Sequence, residues 1–102
     1  MSSTSNRTAV IEYIYHAMKA FENHHKGHLT DDQLEQRLEE DVDSNEEIHR
    51  VFETVFDEND IAMVEAYLAY QADLISNGYV TAAPSKYDID MFISTTVAAK
   101  FK

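Results

Sequence analysis

The stretch RTAVIEYIYHAMKAFENH, Arg7 to His24, decides the fold. Ile11, Ile14, Met18 and Phe21 recur at spacings of three and four, the period of one helix face and not of a strand. Ser5 or Asn6 offers an N-cap oxygen ahead of it. Gly27 interrupts the pattern just beyond its end.

The same period continues outward. Thr30-Asp31-Asp32-Gln33 is a capping box, and its two aspartates suit the positive end of a helix dipole. A second helix is expected to run to about Asp41, burying Leu34 and Leu38. Ser44-Asn45-Glu46-Glu47 is another box, opening a third helix to about Phe56 with Ile48, Val51, Phe52 and Val55 inward. A fourth helix is predicted from about Asp60 to Asn77. It carries Ile61, Val64, Leu68 and Ile75 on one face, with Tyr67 and Leu74 beside them, and Asn77-Gly78 stops it. Residues 78–81 read as a short extended piece. Ser85 caps a last helix to about Phe101, with Ile89, Phe92, Ile93 and Val97 apolar. Two glycines and one proline are too few for a sheet with several turns. The expectation is an all-α protein: a single compact domain of about five helices spanning residues 1–102.

The 102 residues are enough for one core and not for a second lobe closing over a substrate. With no cysteine, disulfides, thiolate catalysis and Cys-ligated zinc are excluded. Residues 1–6 lack the basic and apolar runs of a secretory signal, and no apolar stretch is long enough for a membrane span. A cytoplasmic protein is expected.

Catalysis has little to build on. There is no Gly-x-Ser-x-Gly turn and no glycine-rich phosphate loop. Carboxylates are abundant, but an acid–base pair needs an enclosed pocket that separates two pKa values. No enzyme, no cofactor and no metal are expected. His24, His25 and His28, with His16 two turns earlier, are read as a solvated helix end where histidine suits the dipole. Asp41-x-Asp43-x-Asn45 begins like a calcium loop. Glu46 stands where the loop needs glycine, however, and Phe52 where it needs a bidentate Glu. Tyr13, Tyr15, Tyr67, Tyr70, Tyr79 and Tyr87 lack the interleaved Lys and Arg of a base-stacking surface.

Charge is the informative feature. The net charge is -11, and 14 of the 19 acids stand between residues 31 and 65. They are Asp31, Asp32, Glu35, Glu39, Glu40, Asp41, Asp43, Glu46, Glu47, Glu53, Asp57, Glu58, Asp60 and Glu65, opposed only by Arg37 and Arg50. Such an imbalance argues against nucleic acid or an anionic membrane as a direct partner and favours a basic protein surface. Glu35 and Glu39 would lie about 6 Å apart along a helix axis, comparable to successive phosphates of one strand. Two uses of this belt stand side by side: solubility, and a carboxylate array that imitates a DNA backbone.

At these residues the chain resembles the Ocr-like phage antirestriction family, acidic helical mimics of duplex DNA. His16-Ala17 in a long first helix, the start Asp31-Asp32-Gln33-Leu34, and the entry Pro84-Ser85-Lys86-Tyr87-Asp88-Ile89 followed by Ile93 and Val97 carry the likeness. Glu46-Glu47-Ile48-His49 also fits the family's double-acid helix start, in a second register. The resemblance implies an inhibitor in the host cytoplasm, commonly a dimer, that occupies the DNA groove of a type I restriction–modification enzyme. The alternative expectation is a structural or regulatory interaction module, such as a virion component or adaptor, anchored by Phe52, Phe56, Tyr67 or Phe92.

Overall fold

The computed structural model describes residues 3–40 and 46–96. They form five α-helices and no strand: α1 (Ser3–His25), α2 (Asp31–Leu38), α3 (Glu46–Thr54), α4 (Glu58–Ser76) and α5 (Lys86–Thr96). The all-α, single-domain expectation holds. The expected extended piece at 78–81 is a turn instead, because Tyr79 and Val80 donate their backbone N–H groups back to Leu74 O at 3.0 and 3.3 Å.

α1 is a hub. Each of the other helices packs on it more than on any other element. A helix surrounded in this way needs a wide apolar arc, and α1 buries Ala9, Val10, Ile14, Ala17, Met18 and Ala20. Ile14 and Met18 sit at its centre as expected, whereas Ile11 and Phe21 are half-buried at its margins. The alanines let neighbouring helices approach closely. Ile48 and Val51 of α3, Val64 of α4, and Ile89 and Ile93 of α5 complete the core. Side chains of this kind each gain about 1.5–3 kcal/mol on burial.

Local signals set most boundaries. Gly27 and Gly78 have φ of 82° and 77°, the left-handed conformation that glycine adopts without a Cβ penalty. His28 N–H donates to Asn23 O at 2.9 Å, and Tyr79 N–H to Leu74 O at 3.0 Å. Both are the six-to-one bond that closes a helix at glycine. The Thr30 box forms as predicted, with Gln33 N–H on Thr30 Oγ1 at 3.2 Å and Thr30 N–H on Gln33 Oε1 at 2.9 Å.

Three boundaries differ from expectation. α1 begins at Ser3, so Ser5 and Asn6 lie inside the helix and not ahead of it. Asn6 instead accepts a 2.8 Å bond from Arg50, tying α3 to α1. α4 begins at Glu58, because Asp57 and Asp60 make a reciprocal box with bonds of 2.9 and 3.0 Å. α2 ends at Leu38 and buries no residue completely; Leu34 and Leu38 are half-exposed. The Ser44 cap, Asn45 and the extension of the last helix through Val97 to Phe101 lie outside the described residues.

Candidate acidic interface

α2 presents Asp31, Asp32 and Glu35 to solvent, with exposed Glu39 and Glu40 just beyond it. Asp31, Glu35 and Glu39 follow at spacings of four, so they share one stripe with a rise of about 6 Å per step. Leu34 and Leu38 lie on the neighbouring face and are half-buried, while the charged stripe beside them stays in water. α3 exposes Glu46, Glu47 and Glu53 because Ile48, Val51 and Phe52 point inward. α4 exposes Glu58 and Glu65.

Two members of the predicted set have another job. Asp57 and Asp60 are the capping pair of α4, and Asp60 is only 6% exposed. Its place three residues into a helix aims its carboxylate at the Asp57 N–H, so Asp60 is not part of the surface. Asp41 and Asp43 lie outside the described residues.

The distribution of cations sets the electrostatics. Arg7 Nε meets Asp90 Oδ1 at 2.8 Å, and an Arg7 guanidinium nitrogen also reaches Ser94 Oγ. Lys19 Nζ meets Glu22 at 2.9 Å, and Lys26 approaches the same carboxylate at 3.9 Å. Lys86 Nζ meets Glu12 at 2.9 Å and lies over the Tyr15 ring, 5.0 Å from its centroid. All four cations serve acids of α1 and α5. Hydrogen bonding to Lys86 holds the Glu12 carboxyl below its ordinary range, and Lys19 does the same for Glu22.

Within the belt, Asp31 pairs with His24 at 2.6 Å and Glu40 accepts from Gln36 at 3.0 Å. Among the described residues, Asp32, Glu35, Glu39, Glu46, Glu53, Glu58 and Glu65 have side chains with no ion pair. Residues 31–65 carry a net charge of -12, while the remaining five acids face six Lys and Arg, a net of +1.

Other candidates resolve differently. His24 and His16 pair with Asp31 and Glu12, and among the described residues no group of three or more His, Asp or Glu side chains could hold a metal ion. A depression of about 190 Å³ on α2, lined by Leu29, Gln33, Gln36, Arg37 and Glu40, is smaller than the usual small-molecule pocket. The aromatic anchors expected from sequence pack in two pairs, with Phe56 buried and Phe52, Tyr67 and Phe92 half-buried. Phe56 is buried and stacks on Phe52, which meets the Tyr13 ring edge-on at 5.3 Å. Tyr67 stacks on Phe92 at 4.1 Å, and burial, followed by the nearby Asp88 charge, pushes its hydroxyl pKa up. Among the described residues, the large apolar side chains left exposed are Met63, Tyr70, Tyr79, Tyr87 and Met91. Sequence reading missed Met63 and Met91, because methionine at helical spacing reads as core.

Among the described residues, no helix is long and apolar enough to cross a membrane. Comparison with known proteins gives no match to any family model, curated protein or solved structure.

Proposed function

We propose that this chain is an acidic DNA-mimic inhibitor, phage-encoded and acting in the host cytoplasm. It binds the DNA groove of a defence enzyme such as a type I restriction–modification system, without catalysis of its own. One observation carries this: Arg7, Lys19, Lys26 and Lys86 pair with acids of α1 and α5, whereas among the described residues Asp32, Glu35, Glu39, Glu46, Glu53, Glu58 and Glu65 have no ion pair. Soluble proteins intersperse both signs over their surfaces, and concentrating one sign steers a partner of the other. The resemblance to Ocr-like proteins adds the expectation of a homodimer.

The test is displacement of labelled duplex DNA from a purified type I restriction–modification enzyme. Displacement should weaken steeply as salt rises, as phosphate contacts do. It should be lost when Glu35, Glu39 and Glu46 are changed together to Lys. Inhibition that survives this reversal, or that excess duplex DNA does not relieve, would sink the proposal.

A second reading is an interaction module that binds through apolar contacts. Its support is the exposure of Met63, Tyr70 and Met91, at 37%, 61% and 47%.

A further inference from the structure

α4 and α5 both pack on α1 far more than on each other. Two helices laid side by side on a third leave a furrow between them, and here the Tyr67–Phe92 stack spans it. On α4, Met63 and Tyr70 stand four residues before and three after Tyr67, on the same side of the helix. Ile89 and Ile93 point into the core, which turns Met91, next to Phe92, toward the outer edge of the furrow. Three of the large exposed apolar side chains thus flank one half-buried aromatic pair.

The charges around this furrow have one sign. α4 contains no Lys, Arg or His in its 19 residues. The one basic residue of α5 is Lys86, and it is engaged by Glu12. Asp88 lies four residues before Phe92 and close enough to act on the Tyr67 hydroxyl. A second copy of the chain would bring acids against acids. By helix geometry, Glu58 and Glu65 project from the side of α4 away from Tyr67, so the furrow is a surface separate from the belt.

We propose that the α4–α5 furrow is a docking site for an amphipathic helix of another protein, one that flanks its apolar face with Lys or Arg. Apolar side chains of that helix would lie over Met63, Tyr67, Tyr70 and Phe92. Its cations would meet Asp88 and Asp73, an exposed acid three residues beyond Tyr70 on α4. This is helix-in-groove recognition, with an aromatic and methionine surface of the kind enriched at interfaces. It rests on the apolar-contact reading and owes nothing to the mimicry of DNA, so the two fail separately.

The test uses a synthetic helical peptide of about 18 residues, five turns, with Leu on one face and Lys on its flanks. A Leu/Glu peptide of the same pattern is the control. Both are titrated into the full ¹⁵N-labelled chain at about 0.15 M salt, where exposed charges are screened beyond about 8 Å. Amide shifts should map to α4 and α5 around residues 63–70 and 88–92. Changing Tyr70 to Ala together with Met91 to Ser should weaken binding about tenfold or more. Reversal of Glu35, Glu39 and Glu46 to Lys should change it less than threefold, about 0.65 kcal/mol. Because Tyr70 and Met91 are exposed, circular dichroism of the double variant should match the parent. Shifts confined to residues 31–53 would mean electrostatic adsorption to the belt and overturn the proposal. Equal binding of the Leu/Glu peptide would overturn it too. So would a dimer of the free chain, seen by sedimentation, that the Tyr70 and Met91 changes dissociate, since a second copy would then be the occupant.

Discussion

The acids of α1 and those of α2 are built from the same carboxylates and have opposite fates. Glu22 is 4% exposed, held by Lys19, and accepts the Ala83 backbone N–H at 2.7 Å, which pins the segment before α5 across the hub. Glu35 and Glu39 stand in water without an ion pair. The first kind of acid stabilises the fold. The second slightly destabilises its helix, by a few tenths of a kcal/mol per like-charged pair. Charge count alone would treat the two alike; their surroundings distinguish them.

The comparison can be broken most forcefully in the hub. Met18→Ala should cost about 2–5 kcal/mol in urea unfolding, because its side chain is fully buried where several helices meet. Leu34→Ala on half-exposed α2 should cost clearly less. Equal losses would mean that α2 is as deeply built into the core as α1.

Removing the charge of the buried acid comes next. Glu22→Gln should cost about 1–3 kcal/mol at neutral pH. The folded-state pKa of Glu22 lies below the ordinary value of 4.5. Its contribution is therefore present above pH 4.5 and is lost as pH falls through the lowered value. The difference between parent and Gln variant should shrink in acid; a difference independent of pH would show that the carboxylate charge is not what matters.

In the belt the effect on stability should be small. Each single change of Glu35, Glu39 or Glu46 to Lys should alter unfolding free energy by no more than about 0.5 kcal/mol, with a slight gain where a like-charged pair is relieved. A large loss would place these carboxylates in the structural class with Glu22. Smallest in free energy, but easily read, is local opening. Backbone amides of α2 should exchange with solvent faster than those of α1, since α2 has no fully buried side chain.

Features legible in the sequence were those settled within a few residues. The stop at Gly27, the box at Thr30 and the stop at Asn77-Gly78 follow from backbone conformation and first-turn donors that need no distant partner. The inward faces of α3 and α5 followed from spacing alone. Errors arose where one residue type serves two purposes. Asp57 and Asp60 read as part of the acid run, yet they cap α4. Phe52 packs on Phe56 and Tyr67 on Phe92, which their spacing within single helices does not encode, and the exposure of Met63 and Met91 carried no signal in the sequence. Ala9, Ala17 and Ala20 carried no signal because a small side chain suits either side of a helix.

By itself, then, the sequence determined an acidic chain of five helices and where most of them start and stop. Helical period and capping are local properties, and net charge is a sum. The tertiary structure decided that α1 is the hub and that Arg7, Lys19, Lys26 and Lys86 neutralise acids on α1 and α5. It also decided that Asp32, Glu35, Glu39, Glu46, Glu53, Glu58 and Glu65 face water without an ion pair among the described residues. Those outcomes depend on residues brought together across as many as 87 positions, as Arg7 and Ser94 are. No periodicity within a helix encodes them, because Coulomb attraction and packing act through space and not along the chain.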